Sequence, residues 1–176
     1  MQTNVSKRRH TRAPLRAKVI VKAGEAVRVS FLKDVSCSGA FIETVDLPKM
    51  GEAIKLMFPV PASGKMVQTD AKVARVVEPM GDDDFTIPGI GVEFVDMPFE
   101  SSVLIENYVI KIKYIYEELL LLVTMKNPDT ARISQLLKKV SIDYKDFFEL
   151  REKIKKTSFA LGILKEPGEE DGTHSS

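Results

Sequence analysis

From residue 17 to residue 94 short stretches rich in Val, Ile and Phe alternate with turn-forming clusters, and after Met97-Pro98 the apolar spacing lengthens. The early stretches, residues 18–22, 26–32, 39–44, 53–58, 67–77 and 90–95, predict six short strands. Between them lie Ala23-Gly24-Glu25, Ser36-Cys37-Ser38-Gly39, Pro48-Lys49-Met50-Gly51, the Pro- and Gly-bearing segment 59–64, and Pro79-Met80-Gly81-Asp82-Asp83-Asp84. Strands at this spacing predict a small barrel or sandwich. In the fifth, Val67, Thr69, Ala71, Val73, Arg75 and Val77 share one side, a mostly apolar line that Arg75 interrupts. Pro14 disfavours helix at Ala13 and points to an extended lead-in.

Past residue 97 the pattern is helical. Ile105, Val109, Ile112, Tyr116, Leu119 and Val123 recur at spacings of four and three over an expected helix 101–125. A second line, Leu104, Tyr108, Ile115 and Leu122, widens this face, which could be covered by the barrel, by other helices or by another copy of the chain. Asn127-Pro128-Asp129 ends the helix, and Asp129 or Thr130 caps a second one bearing Ile133, Leu136, Leu137 and Val140. Ser141 or Asp143 is expected to start a third, containing Tyr144, Phe147, Phe148, Leu150 and Ile154. The expected organisation is a flexible basic arm (1–16), a β-barrel (17–97), a helical extension (98–165) and a disordered polar tail (166–176).

Hydrophobic residues make up 44% and charged residues 29%, the composition of a folded globular domain. The net charge of +1 hides an asymmetry: Lys7, Arg8, Arg9, Arg12, Arg16, Lys18 and Lys22 precede the first acidic residue, Glu25, which suggests an anionic partner. Cys37 is the one cysteine, and His10 and His174 lie far apart, so neither a disulfide nor a metal site is expected. Cys37 reads as a small turn residue and His10 as an exposed spacer. Asp82, Asp83 and Asp84 lack calcium-loop spacing and read as a solvated loop. Met57, Met66, Met80 and Met97 read as packing residues. Without a nucleophile paired to a base, or a Gly-rich phosphate loop, an enzyme is not expected. The longest apolar run, 119–123, is too short to span a membrane, and a cytoplasmic protein is expected.

Arg8 and Arg12, separated by three residues, precede the first strand, and Asp34-Val35-Ser36-Cys37-Ser38-Gly39 joins the second strand to the third. In this order they resemble the paired motifs of the PilZ family, Arg-x-x-x-Arg followed by Asp/Asn-x-Ser-x-x-Gly. Gly89-Ile90-Gly91-Val92-Glu93-Phe94 resembles the family's late strand, so the likeness covers about residues 7–95. It implies a six-stranded antiparallel barrel, here followed by a C-terminal helical extension, acting as a non-catalytic receptor for cyclic di-GMP. Arg8 and Arg12 would stack on guanine, fork onto its O6 and N7, or grip a phosphate, where lysine would lose the planarity. Asp34 would accept from guanine N–H groups, Ser36 would donate to a phosphate or base oxygen, and Gly39 would permit a backbone conformation or close approach. Lys7 and Arg9 would add phosphate attraction. In the family a basic residue at the place of Lys7 is associated with an intercalated ligand dimer, so stoichiometry stays open.

The resemblance further implies a bacterial regulator of motility, surface polysaccharide or biofilm formation. Ligand would order the arm against the barrel and alter contacts with a downstream protein partner. A second possibility is an interaction or oligomerisation module working through the C-terminal helices, with little or no nucleotide binding. Nucleic acid is a weaker candidate: Lys138, Lys139, Arg151, Lys153, Lys155 and Lys156 are diluted by Glu149 and Glu152.

Overall fold

The computed structural model describes residues 10–79 and 87–165. Lys7, Arg8, Arg9, Met80, the acidic run Asp82, Asp83 and Asp84, and the tail 166–176 lie outside the described residues. Six strands follow one another: β1 (Ala13–Ala23), β2 (Ala26–Ser36), β3 (Gly39–Glu43), β4 (Ala53–Val60), β5 (Lys65–Val77) and β6 (Gly89–Val95). All pairs are antiparallel, and the order β1-β2-β3-β6-β5-β4 closes into a barrel where Ile20, Val21 and Lys22 meet Met57, Leu56 and Lys55. The six-stranded barrel expected from the sequence is therefore present. Closure removes the free edges that would invite further strand pairing. Inward residues such as Val19, Leu32, Ile42, Leu56, Phe58, Val67 and Ile90 fill it.

Three features differ from the simple strand pattern. First, β1 begins at Ala13 rather than at residue 18, because Ala13 and Leu15 are buried and Ala13 already pairs with Val35. Pro14 is tolerated there because β1 meets β4 only from Ile20 to Lys22, so the missing N–H costs no ladder bond on that side. Second, alternation along β2 breaks at Lys33: Leu32 is buried and pairs with Ile42, while Asp34, two residues on, pairs with Phe41 on the outer face. Third, the apolar line of β5 stops at Val73. A register shift between Val73 and Arg75 leaves Ala74 as the extra residue and turns Arg75 outward.

The helices are α1 (Phe99–Thr124), α2 (Thr130–Val140) and α3 (Phe147–Ala160). The chain divides into two compact units, Met1–Lys111 and Ile112–Ser176, with the division inside α1. In the first unit the Tyr108 hydroxyl donates to the Pro14 carbonyl at 2.7 Å, and Ile105 and Val109 are buried. In the second, Ile112, Ile115, Tyr116, Leu119, Leu122 and Val123 are buried with Ile133, Leu136, Leu137, Leu150, Ile154 and Leu161. The amphipathic stripe is thus covered within the chain. Arg132 grips Glu118 through Nε and Nη2 at 2.5 and 2.9 Å, holding that carboxyl below its usual range. Among the described residues no helix is long and apolar enough to cross a membrane.

Asp129 caps α2, its side chain accepting from the Arg132 N–H. The third helix starts later than expected. Ser141 sits in the left-handed region (φ 52°) as the C-cap of α2, and the N-cap of α3 is Asp146, which accepts from the Glu149 N–H at 2.8 Å. Tyr144 therefore precedes α3, and Phe148 is exposed. Asp146→Ala should lower stability by about 1 kcal/mol in urea unfolding, whereas Asp143→Ala, whose backbone carbonyl alone is engaged by Lys153, should leave the midpoint unchanged.

Candidate functional site

Asp34 faces solvent because of the break at Lys33. Strict alternation from Leu32 would have pointed it into the barrel. Its Oδ1 accepts from Arg12 Nη1 at 2.8 Å, and both side chains are about three-tenths exposed (27% and 29%). The contact is single rather than forked, so the guanidinium keeps donors directed elsewhere. Arg12 was expected on a loose lead-in. It stands instead immediately before β1, fixed by the buried Ala13 and by the pairing of Pro14 with Asp34. The Tyr108 hydroxyl on the Pro14 carbonyl ties the same point to α1.

Beyond Asp34, β2 turns into β3 through Ser36 to Gly39. Ser36 is 1% exposed, and its hydroxyl donates to the Gly39 carbonyl at 3.2 Å and accepts from the Ser38 N–H at 3.4 Å. The hydroxyl therefore shapes the turn. Gly39 pairs with Glu93, and a Cβ there would overlap the Val92 carbonyl oxygen. Of the two reasons for a glycine weighed from the sequence, close backbone approach is the one that applies. The Ser38 carbonyl accepts from the Phe94 N–H at 2.9 Å, seating the turn on β6. Burial, and then the Glu106 carboxylate, push the Cys37 thiol up. His10 is exposed.

The structure brings together Arg12, Asp34, Ser36 and Gly39 of the residues expected from the sequence. Lys7, Arg8 and Arg9 fall outside the described residues. It also adds neighbours that sequence reasoning missed. Phe41, opposite Asp34, lies beneath Lys33 (Nζ 5.7 Å from the ring centroid) and Arg75 (Cζ 5.6 Å). Gly91 pairs with both Phe41 and Arg75, and a Cβ at Gly89 would stand 2.8 Å from Phe41 Cζ. The signals were the two glycines of one strand and the arginine interrupting an apolar line. Among the described residues no cluster of His, Cys, Asp and Glu could hold a metal ion.

Because the Gly39 contact is with backbone, Gly39→Ala should destabilise the barrel by about 1 to 3 kcal/mol in urea unfolding, whereas Ser38→Ala, an exposed neighbour, should have little effect. Equal midpoints for Gly39→Ala and the parent would refute the close approach.

No curated protein matches the sequence. The PilZ domain model matches residues 6–111. Among solved structures, the PilZ domain of Escherichia coli YcgR, determined with c-di-GMP, is similar with a TM-score of 0.52 at 18% identity, over 64% of this chain and 95% of that one. The Bacillus subtilis inhibitor of motility MotI/DgrA gives 0.52 at 17% identity, over 61% of this chain and 51% of that one. K. pneumonia MrkH in its apo state gives 0.54 at 14% identity, over 67% and 55%. The chain thus spans about half the length of the latter two proteins. At these identities the likeness is one of fold. The family model covers more than half of the sequence, on the same barrel that carries the Arg12–Asp34 pair and the Ser36–Gly39 turn, and the chain belongs to the PilZ domain family.

Proposed function

We propose that this chain is a non-catalytic receptor for cyclic di-GMP, with Lys7, Arg8, Arg9 and Arg12 supplying cations and Asp34, Ser36 and Gly39 the barrel side of the site. The observation that carries the proposal is the Arg12–Asp34 pair held on the outer wall. A planar cation beside a carboxylate matches guanine, which offers O6 and N7 acceptors on one edge and N–H donors on another. Ser36 and Gly39 act by fixing the turn that follows Asp34. Structures of YcgR solved with c-di-GMP support the ligand class by family likeness. Ligand engaging Arg12 would pull on the start of β1, which Tyr108 ties to α1, and so alter contacts with a downstream protein in the cytoplasm. Motility, surface polysaccharide and biofilm formation are the responses such a receptor would regulate.

In calorimetric titration with cyclic di-GMP, Arg12→Ala should weaken binding by about tenfold or more, since a forked arginine–guanine contact contributes about 1 to 3 kcal/mol. Affinity equal to the parent's would sink the assignment.

A second reading, a protein-interaction or oligomerisation role for the helices, has its own observation. Within the second unit, Tyr114 and Leu121 stand seven residues apart on α1 and are exposed, at 67% and 59%. This pair differs from the stripe expected from the sequence, whose residues are buried. If it joins copies of the chain, light scattering should give a multiple of the chain mass that falls to one for Leu121→Glu. A parent protein of single-chain mass at all concentrations rules out self-association.

A further inference from the structure

The register places four residues in one row around the outer wall, one from each of four neighbouring strands: Asp34 on β2, Phe41 on β3, Gly91 on β6 and Arg75 on β5. Arg12 stands at one end, bonded to Asp34. At strand spacings of about 4.8 Å the row runs about 14 Å from β2 to β5. Arg75 folds back along it, its Nε 3.5 Å from where a Gly91 Cβ would be and its guanidinium 5.6 Å from the Phe41 centroid. Lys33, the residue that breaks the alternation of β2, reaches the same ring, its Nζ 5.7 Å from the centroid. Two local departures from regular pleating thus converge two cations on one aromatic.

Two other cations of the wall are held by carboxylates. Arg28 meets Asp46 at 3.4 Å and Lys55 meets Asp70 at 2.9 Å. No ion pair is recorded for Lys33 or Arg75 among the described residues; what holds them is the ring. A cation resting on an aromatic face is positioned without losing its charge, because the ring offers a quadrupole rather than a counter-charge. Phe41 is only 6% exposed, so the ligand-facing surface at this point is the pair of cations and not the ring. Gly91 carries no side chain between Phe41 and Arg75, which leaves room for the Arg75 side chain to lie across it toward the ring.

We propose that Lys33 and Arg75, perched on Phe41, form an anion subsite that takes a phosphodiester group of the bound nucleotide one strand along from the Arg12–Asp34 pair. The proposal rests on the cyclic di-GMP reading and extends it: the base edge meets Arg12 and Asp34, the phosphodiester meets Lys33 and Arg75, and Phe41 is the positioning residue for those two cations.

Calorimetric titration of the full chain with cyclic di-GMP tests this. Arg75→Gln and Lys33→Gln should each weaken binding by about tenfold, the effect of losing a charge-assisted hydrogen bond, and the double variant should weaken it further. Arg28→Gln, which removes the same charge elsewhere on the wall, should stay within about twofold of the parent. Phe41→Leu should weaken binding while keeping every charge, and its unfolding midpoint shows whether the barrel is intact; the exposed Arg75 and Lys33 variants do not depend on that control. Binding lost with Arg12→Ala but unchanged in the double variant would overturn the subsite alone. Equal losses for Arg28→Gln and Arg75→Gln would also overturn it, since general attraction would explain both. A parent protein that does not bind cyclic di-GMP would overturn the receptor reading and the subsite together.

Discussion

The site depends on two interruptions of strand alternation, at Lys33 in β2 and at Ala74 in β5. In a regular pleat, side chains two apart share a face, so Asp34 would follow Leu32 into the core and Arg75 would follow Val73. Burying either charge would cost several kcal/mol without a partner. One extra residue in each strand turns both outward while Leu32, Val35 and Val73 remain buried. The barrel interior and the charged outer row are thus compatible in one small fold only because of these bulges.

The lead-in to β1 shows a second economy. Arg12 is held by Asp34, its neighbour Ala13 is fully buried, and the Pro14 carbonyl is bonded to Tyr108. On the proposed reading, a ligand arriving at Asp34 would meet a guanidinium already in place, which lowers the ordering cost that a wholly free arm would carry. Because Pro14 stands two residues from Arg12 and carries the Tyr108 bond, a ligand engaging Arg12 as proposed would have a short mechanical route to α1 within the first unit. On the proposed receptor reading, the Arg12–Asp34 pair would have to loosen or share its donors for a base edge to enter, so the protein's own carboxylate would compete with the ligand until contact is made.

Much of this was legible in the sequence. Turn clusters and short apolar runs gave the strand count, the spacing of Arg12, Asp34, Ser36 and Gly39 pointed to residues that the fold brings together, and the 105–123 periodicity marked the buried face of α1. What was not legible depended on pairing across strands. Nothing local to Lys33 announces a bulge, so neither the outward turn of Asp34 nor its alignment with Phe41 could be read from one strand alone. Arg75 was visible as an anomaly in an apolar line, but its resolution needed β6 opposite it. Likewise Asp143 and Asp146 are equally good caps by residue type, and only the left-handed C-cap at Ser141 and the loop after it select the later one.

The bulge at Lys33 gives β2 a slack position. Lys33 and Asp34 both point outward, so removing Lys33 would place Asp34 directly after Leu32, still facing out, with Val35 still facing in. What the extra residue adds is a second outward side chain in immediate succession, which regular alternation never provides. A charge can therefore be gained or lost at this point of the wall while the core residues on either side keep their phase.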